Sequence, residues 1–338
     1  MSIRKSSSIA ALLVLLASAL PELSMAQQAR LKRPGVASGP TVVRLSITVI
    51  DVFAINDADE SFVADFVVSM SWRDERLVWE EEADVSSVVR GLEDVWNPGM
   101  VIVNGFGLST GFPEVVEVQP DGTVHYLQRY QGTLSGAFDL RDFPADLQQL
   151  PVRLAFVGHS AQDISPELDL AGSVMLASAA VSGWTIRLAE SNVERLMLDE
   201  NRAFVGYTFY VEAQREAGYF VWTMMVPLTL IVMMAWMVFW IDPSYLPAQI
   251  GLSTAAVFSL IAYRTALRLA LPAVSYMTKA DIFVLGATVL VFGALAHAVG
   301  TGRLAKSGRE ELARIFDRWT RWIYVFLFAA TIAAALLW

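Results

Sequence analysis

Pro247-Ala248-Gln249-Ile250-Gly251-Leu252-Ser253-Thr254-Ala255-Ala256-Val257-Phe258 opens a segment that runs on through Arg264 and Arg268 to Leu271-Pro272. Taken every third or fourth residue, it reads Gly251, Ala255, Phe258, Ala262, Thr265, Leu269, one stripe at helical spacing. Lipid favours Leu and Ile all round a helix, whereas this stripe is small, small, bulky, small, hydroxyl, apolar. Two readings follow. One is a helix lining a narrow conduit with an apolar constriction at Phe258. The other is tight helix–helix packing, which also selects small residues. The segment alone leaves both open.

Working outward, it is the second of four apolar stretches, at about 219–240, 247–271, 281–299 and 319–338. Each is long enough, or nearly so, to cross a bilayer. The 338 residues are 55% hydrophobic, with the apolar excess concentrated here and at the N-terminus. Residues 1–26 join a basic start (Arg4, Lys5) to an apolar run from Ile9 to Leu20 and small residues at Ser24-Met25-Ala26. This is the pattern of a secretory signal cut after Ala26. Residues 27–40 form a flexible lead-in rich in Gln, Arg, Pro and Gly. The absence of cysteine excludes a disulfide framework, a thiolate metal site and a Cys nucleophile. The net charge of −9 excludes a nucleic-acid partner. No Ser/His/Asp, metal or phosphate motif appears, so neither a catalytic site, a metal site nor a cofactor is expected.

Residues 41–217 read as one all-β domain. Val43, Leu45, Ile47 and Val49 alternate with polar neighbours; Phe62 to Trp72, Leu150 to Phe156 and Val205 to Val211 repeat that period of two. Turn signals punctuate them at Asn56-Asp57, Asn97-Pro98-Gly99 and Pro120-Asp121-Gly122. The expected fold is an immunoglobulin-like antiparallel sandwich of about ten strands, followed by a four-helix transmembrane bundle over 218–338. Arg303, Lys306, Arg309, Arg314, Arg318 and Arg321 crowd around the third connection, expected as a loop over 300–318. The positive-inside rule makes that loop cytoplasmic and leaves the exported sandwich outside.

A secreted sandwich fused to four spans, the second carrying a stripe of this kind, resembles a subunit of the pentameric ligand-gated ion channels, the Cys-loop receptor superfamily. Trp72-Arg73-Asp74-Glu75-Arg76-Leu77 resembles its Trp-x-Asp-x-Arg-Leu, and Asp94-Val95-Trp96-Asn97-Pro98 its Trp-x-Pro segment. Phe138-Asp139-Leu140-Arg141-Asp142-Phe143-Pro144-Ala145-Asp146-Leu147-Gln148 resembles the signature loop, with Ala145 at the third place of Phe-Pro-Phe. Val226-Pro227-Leu228 matches the proline of the first span, and Leu271-Pro272-Ala273-Val274-Ser275-Tyr276 the linker after the pore helix. The missing flanking cysteines and short third connection resemble the bacterial members. The resemblance implies a homopentamer in the bacterial inner membrane, its sandwiches periplasmic, passing inorganic ions and gated by a small-molecule ligand or by protons. It resolves the stripe in favour of pore lining and places Phe258 where a gate leucine or isoleucine usually sits.

It also implies roles for other residues. The run at Pro247, Ala248 and Gln249 is similar to the Pro-Ala-Arg of anion-selective glycine and GABA receptors, with Gln249 replacing the arginine, and Arg268 matches the outer end of that pattern. Anion permeation is the favoured expectation, with a cation channel (through Asp242 or acidic vestibule charge) and a non-conducting membrane-tethered sensor as alternatives. Asp57, Asp146 and Arg215, with Phe143 and Pro144, are expected at the junction of the domains, an arginine fork between two carboxylates. Arg129, Phe156, His159, Asp199 and Phe204 are the candidates for a ligand site between adjacent sandwiches. A proton-gated relative carries a histidine in its second span where this chain has Leu260, so a histidine switch would have to use His125, His159 or His297.

Overall fold

The alternation that begins at Val43 becomes the first strand of a computed structural model. It describes residues 32–35, 39–80, 86–157, 159, 162–169, 172–176, 181–189, 192–199, 202–267 and 274–337. The signal segment 1–26 and most of the lead-in lie outside these residues. The long strands are β1 (Thr41–Asn56), β2 (Ser61–Arg73), β7 (Thr123–Ser135), β8 (Leu147–Phe156) and β13 (Arg202–Arg215). Between them come β3 (Val88–Gly91), β4 (Met100–Ile102), β5 (Gly105–Thr110), β6 (Val115–Val118), β9 (Ile164–Leu168), β10 (Val174–Met175), β11 (Trp184–Leu188) and β12 (Asn192–Asp199). One sheet runs β10-β1-β2-β7-β6-β3, with β5 added on β7 and β9 on β1; the other runs β11-β13-β8-β4, with β12 on β13.

The inward residues are the ones the alternation picks out. Val43, Leu45, Ile47 and Val49 of β1 are buried, as are Phe62, Phe66, Val68 and Trp72 of β2 and Leu150, Val152 and Phe209 opposite them. Trp72 meets Trp96 edge-on at 6.0 Å, tying the Trp-x-Pro segment into that core. Among the described residues thirteen strands stand where about ten were expected. The excess is in short pieces such as β4 and β10, too brief for any period to register. Three of the pairings tested by register run through β1, and two of these, to β9 and β10, are parallel.

Four membrane-length helices follow without a linker: α1 (Gly218–Trp240), α2 (Leu246–Leu267), α3 (Lys279–Lys306) and α4 (Glu310–Leu337). The expected loop over 300–318 is corrected here: α3 runs on to Lys306, α4 starts at Glu310, and only 307–309 turn. Hydropathy falls where charge begins, but the helices do not stop there. Arg303 and Lys306 suit the negative end of α3, and Glu310 and Glu311 the positive start of α4.

Inside α1, Val221–Met225 is a π-helical turn before Pro227. Proline has no N–H, so the carbonyl four residues earlier, Thr223, loses its helical donor. The Tyr263 hydroxyl of α2 reaches across instead, donating to the carbonyls of Thr223 and Met224 at 3.1 and 2.8 Å.

Candidate functional site

On α2, Gly251, Ala255, Phe258, Ala262 and Thr265 all lie on the exposed side of the single chain, and Phe258 is 67% exposed. The opposite side, Ser253, Ala256, Val257, Leu260 and Leu267, is buried against α1 and α3. The buried side thus joins Val257, Leu260 and Leu267 to Ser253 and Ala256, while the exposed side carries the small-residue stripe with one phenyl ring, flanked by Ile261 and Arg264. Leu269 and Arg268 fall outside the described residues. Pro247 and Ala248 are exposed at the head of the helix. Gln249 is not beside them: it is buried, and its amide donates to the Ile241 carbonyl at 2.9 Å, so its side chain faces its own subunit. That corrects its grouping with the selectivity residues; a helix turns about 100° per residue, and the third place of the run points back. Asp242 accepts from the Ser244 amide and hydroxyl and pairs with Arg314 at 3.2 Å. The Ser244 bonds, with Arg314 behind them, hold its carboxyl below the usual value.

The junction residues are brought together. Arg215, the last residue of β13, places Nε 2.8 Å from Oδ1 of Asp146 and Nη2 2.8 Å from Oδ1 of Asp57. Their side chains are 5%, 1% and 19% exposed. Burial works against the guanidinium charge, and the hydrogen bonds and charges of the two carboxylates outweigh it, so Arg215 holds its proton more firmly than usual. Rings wrap the cluster: Trp184 lies 4.1 Å from the guanidinium carbon, Phe143 4.9 Å and Phe220 5.7 Å. Sequence reasoning missed Trp184; its signal was a tryptophan directly after Gly183, cross-strand to Arg215 once β11 and β13 pair.

The signature loop itself docks on α3. A helix starts with N–H groups that have no partner within it. Here the Lys279 N–H donates to the Arg141 carbonyl at 3.0 Å and the Ala280 N–H to the Phe143 carbonyl at 3.2 Å. Thr278 and Asp281 close the rest as a reciprocal cap. The Tyr276 hydroxyl accepts from the Leu140 N–H at 2.9 Å, and Lys279 pairs with Asp142 at 2.8 Å. Phe143 and Pro144 are buried in this contact, whereas Ala145 faces outward.

Of the ligand candidates, Arg129, Phe156 and His159 have described side chains, and these three do not converge within one subunit. Phe156 is fully buried in the sandwich core on β8, so no ligand reaches it. Arg129 spends its fork on Asp65 of β2 in the same subunit, Nε to Oδ1 at 2.9 Å. His159 packs edge-on to Trp96 at 5.4 Å. Asp199 and Phe204 belong to the β12–β13 hairpin, whose side chains there lie outside the description. What the sequence did not reveal is a groove of about 550 Å³ on the outer face of β2, β6 and β7, lined by Ser69, Phe112, Val115, Glu117, His125 and Leu127. Glu117 and His125 are directly opposite across the strand pair.

A sandwich seated by a buried acid–arginine–acid cluster and backbone hydrogen bonds on four membrane-length helices defines a two-domain membrane protein. Residues 20–215 match the family described as neurotransmitter-gated ion-channel ligand binding domain, and residues 224–306 match the neurotransmitter-gated ion-channel transmembrane region. The chain belongs to the neurotransmitter-gated ion-channel family, which consists of ligand-gated channels and not enzymes. It is similar to a gamma-aminobutyric acid receptor subunit beta of Caenorhabditis elegans, 26% identical over 286 residues, 82% of this chain and 52% of that one. It is also similar to a gamma-aminobutyric acid receptor subunit beta-like protein of Drosophila melanogaster, 27% identical over 302 residues, 84% and 61%. The chain thus spans roughly half to three-fifths of the length of these relatives.

Proposed function

We propose that this chain is a subunit of a homopentameric ligand-gated channel of a bacterial inner membrane, with the sandwich on the periplasmic side. Five copies of α2 line the pore, and five Phe258 rings form the closed constriction, an apolar girdle that sheds water. The observation that carries the reading is the exposed stripe of α2: Gly251, Ala255, Phe258, Ala262 and Thr265 face away from the subunit's own bundle, small residues around one ring. A lone helix in lipid gains nothing from that arrangement; a helix around an axis of symmetry does. Anion permeation is favoured by the exposed Pro247-Ala248 mouth, which carries no acid, and by relatives named as gamma-aminobutyric acid receptor subunits. The groove on β2, β6 and β7 is the proposed half-site for a small ligand, completed by a neighbouring subunit. Its occupancy is transmitted through Asp57, Asp146, Arg215 and the Phe143–Pro144 loop.

The test is the reversal potential of Phe258→Ala across a bilayer in an asymmetric salt gradient, since removing the ring wets the constriction without any ligand. Current reversing near the chloride potential is expected. Reversal near the cation potential keeps the channel and overturns the anion assignment. Assembled protein without current in any gradient overturns the channel and leaves a non-conducting sensor.

A further inference from the structure

Only three histidines occur in the chain, and one of them lies inside the helix bundle, at the end away from the sandwich. Nε2 of His297 on α3 is 2.7 Å from Oδ1 of Asp317 on α4. The Asp317 side chain is 2% exposed, and its other oxygen, Oδ2, is buried with no hydrogen-bond partner. The Phe239 ring of α1 covers the imidazole edge-on at 5.0 Å, and Tyr324 closes on that same ring at 5.3 Å. Neither the pore stripe nor the junction with the sandwich uses this pair.

A carboxylate can accept about four hydrogen bonds; this one has a single partner. While the pair holds one proton it is neutral overall, whichever atom carries that proton. Without it, a net negative charge is left among apolar side chains, with one oxygen unsolvated. Among the described residues no cation is placed to take over. Arg321 donates to the Phe239 carbonyl at 2.8 Å and stacks on Trp240, and Arg314 is held by Asp242 and Glu310. Arg303 of α3 and Arg318 of α4 are exposed, and the Tyr324 hydroxyl donates to the Val232 carbonyl. Histidine is the side chain whose charge changes near neutral pH.

We propose that His297 and Asp317 form a proton-dependent latch, closed while the pair holds its proton and released on the alkaline side, fastening the first half of α4 to α3. In the topology proposed above, it reads the pH of the cytoplasm. The latch itself does not depend on conduction, and its test needs no current.

The test is hydrogen–deuterium exchange of the full chain in lipid nanodiscs, on peptides covering residues 310–324, at about pH 6 and about pH 9, corrected for the intrinsic rate. Protection of these peptides is expected to fall about tenfold or more at the higher pH, while the start of α3 stays unchanged. Asp317→Asn should reverse the sign, because a charged imidazole then has no counter-charge and the acid side becomes the loose one. His297→Gln combined with Asp317→Asn, a neutral hydrogen-bonded pair, should flatten the profile. Equal protection of the wild type at both values overturns the latch, whether or not the variants fold. So does a double variant that keeps the full pH response.

Discussion

Arg215 concentrates more interactions than any other side chain described above, so single substitutions there separate charge from geometry. Arg215→Ala strands two carboxylates, one of them wholly buried, and should cost about 3–5 kcal/mol of stability. Arg215→Lys keeps the charge but loses the fork and the stacking on Trp184, and should recover only part of that loss. Asp146→Asn should be the more damaging of the two acid replacements, since Asp57 is partly exposed and water can compensate for it. Thermal melting of the detergent-solubilised protein ranks all four; an Asp57→Asn change as severe as Asp146→Asn would contradict the burial argument. The three charged residues were expected at the junction because the resemblance to the receptor family implied it, not because spacing alone marks them. Trp184 was not, since its place beside Arg215 arises only from the pairing of β11 with β13. Phe156 failed as a ligand candidate because its own alternation with Leu150, Val152 and Leu154 already puts it on the buried face of β8.

The helices pack by backbone accommodation as much as by side chains. Tyr263→Phe removes the hydroxyl that donates to the Thr223 and Met224 carbonyls beside Pro227 and should cost about 1 kcal/mol, read as a lower melting midpoint with the α1–α2 contact loosened. On α3, a Cβ at Gly286 would meet Thr331 Cγ2 at 2.2 Å, whereas one at Gly293 meets nothing within the chain. Gly286→Ala should therefore destabilise the α3–α4 contact by about 1–3 kcal/mol. Gly293→Ala should be neutral for a lone subunit, so any loss it causes must come through a neighbour. The stripe on α2 could be read from its spacing. The turn at Val221–Met225 and the hydroxyl that serves it could not, because a freed carbonyl shows its partner only in three dimensions. The extent of α3 and α4 was misjudged because charge was taken as the end of a helix when it marks only the end of an apolar stretch.

At the scale of the whole molecule, one chain presents two incomplete surfaces: the outward side of α2 and the groove on β2, β6 and β7. The proposed assembly completes both. The oligomeric mass of the solubilised particle should correspond to five chains. A particle of one or two chains would remove the symmetry axis that gives the α2 stripe its meaning. The strand pattern and spans made the architecture legible from the sequence. The groove was not, because its residues come from four strands and the segments between them, and none of them follows a motif.

The amide hydrogens of Lys279 and Ala280 bind carbonyls of the signature loop, and that contact is made by main-chain atoms on both sides. Main-chain bonds are indifferent to which side chains surround them. This main-chain part of the fitting, beside the side-chain contacts of Arg215, Tyr276 and Lys279, acts as a standard coupling in the engineering sense: sensing modules of different chemistry can be mounted on one set of helices so long as the loop that carries it is kept.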